Sequence, residues 1–272
     1  MDSFLLFFET MPSWQKLVWI FIVLLFSWIL EAGAPLFKMK YSKWKHARSN
    51  FAFLAMTVLI NLFFGIATIG VFNFVESNQL GLLNVIELSF IAEILIAIVI
   101  FDLVAQYWIH YLLHKFKWMW RLHMVHHSDK HIDATSGLRL HPGDFLSREI
   151  FALGVVIILG VPFAIYVFYR ICTIFFTFIT HANIALPLWL DKTLSLVFIT
   201  PNMHKFHHHF ERPWTDTNFG SIFSFWDRIF GTMVYDDPSK IQYGLDVLDH
   251  MNDEDVLYQL KVPFDNSIKN DY

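Results

Sequence analysis

Fourteen of the 272 residues are histidine, and eight of them fall into three tight clusters. The first is His110-x-x-x-His114, the second His123-x-x-His126-His127, and the third His204-x-x-His207-His208, with His209 following. On a helix, positions i, i+3 and i+4 share one side of the cylinder, so each cluster aims two or three imidazoles in one direction. Imidazole is a ligand suited to zinc, copper, iron and nickel. Eight rings exceed what one four-coordinate zinc would use, and two ions in a shared His-rich cradle fit the count. Buried without a metal, the same rings would leave many nitrogens unsatisfied, at about 1–3 kcal/mol each. His46, His131 and His250 stand apart and read as ordinary core or solvent-facing residues. The HExxH zinc-protease pattern is absent, as are a GxSxG elbow, a Walker loop and GxGxxG. The single cysteine, Cys172, excludes an intrachain disulfide and a Cys-based zinc site. His141-Pro142-Gly143 is similar to the haem-binding HPGG motif, but position 144 is Asp and no compact soluble haem domain surrounds it. Any electron donor would then be a separate protein.

The elements that must position these rings are apolar. Hydrophobic residues make up 56% of the chain, aromatic residues 18% and charged residues only 16%, against about 25% charged in a soluble domain. That composition excludes disorder and indicates a multi-pass membrane protein. The net charge of −4 gives no basic face for a nucleic acid. Apolar segments run from Trp14 to Leu30, Phe51 to Val75, Leu82 to Ile109 and Ile150 to Thr180. Ala32-Gly33-Ala34 is similar to a signal-peptide cleavage site, but the residues before segment one lack the basic region such a peptide needs. Lys38, Lys40, Lys43, Lys45 and Arg48 make residues 36–50 a basic loop, expected in the cytoplasm. In segment three, helical periodicity continues to Trp118. One helix from Val85 to Trp118 would be about 51 Å long, well beyond the ~30 Å of hydrocarbon. Its last turns, with His110 and His114, would project from the cytoplasmic face. Segment four admits either a single crossing or two short helices that enter and return, broken near Gly160-Val161-Pro162. Arg170 lies within it and cannot face lipid cheaply. From His181 onward the chain is aqueous in character. Residues 236–255, with seven acids and one Lys, read as a solvated tail.

Taken together, residues 97–235 resemble the fatty acid hydroxylase / sterol desaturase superfamily of integral membrane non-haem di-iron oxygenases. Asp102-x4-Tyr107-Trp108-x-His110 with His114 resembles its first box. Trp120-Arg121-x-His123-x-x-His126-His127-Ser128 resembles its second, and Arg139-x-His141-Pro142 a segment that follows. Thr200-Pro201-x-Met203-His204-x-x-His207-His208 resembles the third box. Asp216-x-Asn218-Phe219-Gly220 and Trp226-Asp227-Arg228-x-x-Gly231-Thr232 resemble the closing stretch. Tyr243-Gly244-Leu245 and Pro263-Phe264 are similar to bacterial sterol-desaturase-type members.

The resemblance implies an all-α fold of transmembrane helices with a cytoplasm-facing, His-rich metal-binding cap. It implies that His110, His114, His123, His126, His127, His204, His207 and His208 hold two iron ions, with His181 as the isolated ninth ligand. His141 and His209 are left out of that set. Because all nine rings must meet at one site, it implies that residues 150–180 enter and leave the membrane on one side. The chain would divide into membrane helices over 1–101, a His-box region over 102–235 containing that hairpin, and an acidic cytoplasmic tail over 236–272. Asp102, Asp216, Asn218 and Asp227 are candidates to accept the second ring N–H of a ligating histidine. Trp108, Phe116, Trp118, Trp120 and Phe206 would either wall a substrate channel or form an interfacial belt. The expected activity is O2-dependent hydroxylation or desaturation of a lipid C–H bond (sterol, fatty acyl or ether lipid) with electrons from a separate protein. The membrane would be a bacterial inner membrane or the endoplasmic reticulum. A zinc-dependent membrane hydrolase using the same cradle is the alternative. A metal transporter is disfavoured, because the clusters lie beyond the spanning segments rather than along them.

Overall fold

The computed structural model describes residues 2–248 and 252–268, so His250 lies outside the described residues. These are helical, with no strand among them and only two isolated bridges, Pro35–Ile184 and Phe198–Phe223. In chain order the helices are α1 Asp2–Glu9, α2 Ser13–Gly33, α3 Lys43–Ser77, α4 Phe90–Asp102, α5 Ile109–Lys115, α6 Lys117–His127, α7 Pro142–Leu159, α8 Phe163–His181, α9 Leu188–Leu194, α10 Pro201–His207, α11 Phe225–Ile229 and α12 Val256–Lys261.

Among the described residues, four stretches are long and apolar enough to cross a membrane: α2, α3 with the turn after it, the rod Phe90–Lys115, and α8. Their outward faces are bare hydrocarbon. Leu62, Phe63 and Ile66 on α3 are each at least two-thirds exposed, as suits a lipid-facing stripe rather than a water-facing one.

Helix ends differ from the hydropathy segments where a cap decides. Ser42 accepts from the Lys45 backbone N–H, so α3 starts at Lys43 and absorbs Lys43, Lys45 and Arg48 of the basic stretch. Ser89 caps the next rod by accepting from the Ala92 N–H, so helix begins at Phe90 rather than in the mid-eighties. The rod also does not continue to Trp118. Phe116 is extended, with φ −96° and ψ 121°, and it ends α5 and opens α6. Between α4 and α5, Leu103–Trp108 is a π-helical turn, a wider winding that shifts the phase of the residues after it.

Residues 150–180 belong to a longer helix pair, α7 and α8, joined at Gly160-Val161-Pro162. Gly160 is left-handed, with φ +71°, and meets the backbone of Leu80 and Gly81 in the loop after α3. A Cβ on Gly81 would fall 2.1 Å from the Gly160 nitrogen, so both positions require glycine. The pair packs against α3 and the rod through Phe72, Val75, Ala97, Phe101, Val156 and Ile165.

Polar pins fix the opposite end. Glu31 near the end of α2 is 5% exposed. Its Oε1 accepts from the N–H groups of Ala134 and Asn183, and its Oε2 pairs with Lys43. His46 on α3 is fully buried, with Nε2 2.9 Å from Asp129 and Nδ1 3.3 Å from Asp133. Asp129 also accepts from Ser136 and lies 3.6 Å from Arg139. Isolated carboxylates would be too costly there, but a hydrogen-bonded network of balanced charge is not.

Candidate metal centre

Every histidine of the three clusters is buried, and they converge. Ligand atoms of His110, His114, His123, His127 and His207 form one group. Those of His126, His181, His204 and His208 form another, and in each group the atoms lie within 4.8 Å of one another. The rings come from α5, α6, the end of α8 and α10. The i, i+3 and i+4 spacing on α6 sends His123 and His127 to the first group and His126 to the second. Likewise His204 and His208 face one group and His207 the other. His181, far from the boxes in sequence, completes the second group.

Hydrogen bonds fix the tautomers. The Nδ1–H groups of His110, His126, His181 and His207 donate to the carbonyl oxygens of Phe219, Arg139, Thr177 and Thr217, at 2.9, 3.2, 2.7 and 2.8 Å. A carbonyl only accepts, so these rings carry their proton on Nδ1 and present a bare lone pair at Nε2. His123 Nδ1–H donates to Asp144 at 2.6 Å and His114 Nδ1–H to Asp216 at 3.2 Å, with the same result.

The lone pairs then face one another. Nε2 of His110 and His123 are 3.0 Å apart, and Nε2 of His126 and His181 are 3.1 Å apart. Neither pair has a proton to share, so each would repel unless a cation lies between. Two nitrogens bound at ~2.1 Å and at right angles on one ion stand about 3.0 Å apart, which is the spacing found. The buried Nε2 atoms of His114 and His207 have no hydrogen-bond partner either. On this evidence the residues fit two metal ions, one per group. Burial first, and then neighbouring imidazoles, holds the pKa of His126, His127, His204, His207 and His208 well below the usual value. These rings are therefore neutral and ready to bind.

The groups expected to orient the rings divide. Asp216 bonds His114 and Lys115; burial opposes its charge, but these two partners hold its pKa below the usual range. Among the described residues, Asp102, Asn218 and Asp227 bond no imidazole. Asp102 accepts from the N–H groups of Ile222, Phe223 and Trp226. Asp227 accepts from Phe219 N–H, Gly220 N–H and the Thr232 hydroxyl. Asn218, left-handed at φ 51°, ties Met203 to Val234. Asp102 and Asp227 thus hold the loop whose Phe219 carbonyl receives His110. Asp144 was not anticipated. It follows His141-Pro142-Gly143 in the sequence, and no local spacing marks a contact between His123 on α6 and a residue of α7. His141 instead caps α7, accepting from Gly143 N–H. His209 bonds Lys240 O and Glu211 N–H, outside both groups.

A cavity of about 700 Å³ opens onto the cluster, within the range of small-molecule sites. His110, His126, His181 and His204 form its inner end, and α2, α3, α7 and α8 its walls. None of the five aromatic residues expected to wall a channel lines it. Trp120 packs on His114 and His127, Phe206 on Trp214, and Trp108 on Tyr111 and Phe230. Phe116 and Trp118 are exposed on the surface.

The profile of the fatty acid hydroxylase family matches residues 94–232, half of the chain. The chain is 30% identical over 126 residues to an ornithine lipid hydroxylase, OlsE, of Rhizobium tropici, covering 46% of this chain and 37% of that protein. It is 29% identical over 139 residues to the alkylglycerol monooxygenase of Homo sapiens, covering 51% and 30%. To methylsterol monooxygenase 1-3 of Arabidopsis thaliana it is 26% identical over 176 residues, covering 61% and 58%. The matched stretch therefore spans about a third of the first two relatives. No solved structure matches the chain. The boxed histidines, the helical membrane frame and the family match agree: this integral membrane chain belongs to the fatty acid hydroxylase family.

Proposed function

We propose that the chain is an O2-dependent lipid hydroxylase or desaturase holding two iron ions. His110, His114, His123, His127 and His207 would bind one ion, and His126, His181, His204 and His208 the other. The observation that carries the reading is the junction of lone-pair-bearing imidazoles with the inner end of a membrane-embedded cavity. An alkane C–H offers no acidic proton, so side-chain acid–base chemistry cannot cleave it. Iron supplies the redox chemistry with dioxygen that such a bond demands.

The chain's own residues bind, orient and exclude water. Asp144, Asp216 and four backbone carbonyls hold six of the nine rings in one tautomer, which raises their basicity as ligands. The walls from α2, α3, α7 and α8 let a lipid chain remain in an apolar environment while its reacting carbon reaches the rings. Electrons come from a separate donor protein. The Lys43 end of α3 lies beside Glu31 and the His46–Asp129 pair, at the same end as the cluster, and the positive-inside rule assigns that end to the cytoplasm.

The test is purification followed by metal analysis and lipid mass spectrometry of cells with and without the chain. Two irons per chain, with a lipid that gains one oxygen atom or loses two hydrogens only in air, supports the reading. Two zincs with oxygen-independent turnover would overturn it.

A further inference from the structure

Arg170 lies in the middle of α8, in a segment otherwise apolar enough to span a membrane. A charge at that depth marks a function by default. Its Nη1 is 2.6 Å from Glu149 Oε1 on α7, and Tyr166 donates to Glu149 Oε2 at 3.1 Å. Glu149 is almost fully buried, whereas the Arg170 side chain retains 30% exposure, and both line the cavity. A guanidinium carries five N–H donors in a fixed fork. Glu149 engages one edge, and among the described residues no hydrogen bond occupies the rest. Because Arg170 lines the cavity, those donors are available to a molecule lying in it.

We propose that Arg170, held by Glu149 and Tyr166, is a specificity-determining residue that binds the ester or amide carbonyl oxygen of an acyl lipid lying in the cavity. The inference rests on the lipid-oxidising function proposed above. Glu149 already balances the charge, so the site suits a neutral acceptor rather than a free carboxylate or phosphate. A purely structural ion pair would have no need to open onto the cavity, and well-packed apolar residues would serve as well.

The position also sets a ruler. Arg170 precedes His181 by eleven residues on α8, about 16 Å of helix. An extended chain covers about 1.2 Å per bond. The carbon presented to the rings therefore lies on the order of a dozen bonds from the carbonyl, in the distal part of an acyl chain. Beyond Arg170 the cavity continues to Phe163, over whose ring Lys16 Nζ lies at 5.7 Å. That leaves room for the remainder of the lipid.

The experiment measures equilibrium binding to the full chain under anaerobic conditions, with methyl palmitate and an alkane of equal length as probes. The wild type is expected to prefer the ester about tenfold or more, as a charge-assisted hydrogen bond implies. The double variant E149Q/R170M leaves no unpaired charge and is expected to bind both probes equally. Arg170→Lys keeps the pair with Glu149, guards against a folding defect, and is expected to retain part of the preference. With air and a chemical reductant supplied as the electron source, wild-type oxidation should fall on the order of a dozen bonds from the carbonyl and spread along the chain in the double variant. Equal binding of both probes by the wild type, or an unchanged preference in the double variant, overturns the role of Arg170 and leaves lipid oxidation standing. Binding of neither probe by the wild type overturns both.

Discussion

Asp144 is the most informative residue to perturb. Its Oδ2 accepts from His123 Nδ1–H at 2.6 Å, its Oδ1 accepts from Arg148 Nε–H at 2.8 Å, and it is fully buried. Asp144→Asn preserves volume but replaces one acceptor with an NH2 group. If the amide nitrogen faces Arg148, donor meets donor. If it faces His123, the ring must accept at Nδ1 and carry its proton on Nε2, which then points at the His110 and His127 nitrogens at 3.0 and 3.2 Å. The first arrangement leaves His123 a neutral amide oxygen, a weaker acceptor than the carboxylate, and the second reverses its tautomer, so both weaken ligation. Loss of such a partner typically lowers metal affinity 10–100-fold, or about 1.4–2.8 kcal/mol. The assay is metal per chain against rising chelator, read by elemental mass spectrometry. Arg148→Met is the control: it removes the other partner of Asp144 but leaves the His123 bond in place, so its metal retention should stay near wild type. Wild-type retention by Asp144→Asn would refute the claim that this carboxylate supports His123 as a ligand.

Three further outcomes are expected. His204→Ala leaves three rings in the smaller group and should roughly halve the metal content, whereas His127→Ala leaves four in the larger group and should retain more, as metal-to-protein ratios of the two variants would show. Asp102→Ala orphans the N–H groups of Ile222, Phe223 and Trp226, at about 1–3 kcal/mol each, so the melting midpoint in detergent should fall sharply, and an unchanged midpoint would contradict the anchoring role. Burial opposes the charge of Asp133, but His46, Thr135 and Tyr41 hold its folded-state pKa below the unfolded value near 3.8, so its stabilisation is fully present above about pH 4 and is lost as pH falls through the folded value. Asp133→Asn should accordingly flatten the acid limb of a stability–pH curve below about pH 4, and an acid limb as steep as that of the wild type would contradict the assignment.

The ring clusters were legible because helical spacing is a local property: i, i+3 and i+4 point one way wherever the helix goes. The spanning helices were legible for the same reason, since a run of apolar residues states its own environment. What escaped was set by contacts distant in sequence or by a single cap. Ser42 and Ser89 move helix starts that hydropathy blurs. The extended Phe116 ends a helix that periodicity carries through it. The π turn at 103–108 has no compositional mark. Asp102 and Asp227 were placed beside imidazoles by residue type, yet both serve loop N–H groups one step further out. Asp144 takes the place beside His123 because α7 folds back onto α6. Aromatic residues near the boxes do not line the cavity; its walls come from α7 and α8 and from α2 and α3, the last two upstream of the first box.

The two imidazole groups are unequal in outlook as well as in number. His126, His181 and His204 of the four-ring group border the cavity, whereas only His110 of the five-ring group does so. Three rings of the smaller group thus open onto the cavity, so an ion held there would be the more accessible of the two. An ion in the larger group would be reached from the cavity only past His110. Small inhibitory anions and gases would meet the front ion first, and demetallation would begin there, with the rear ion the last to leave.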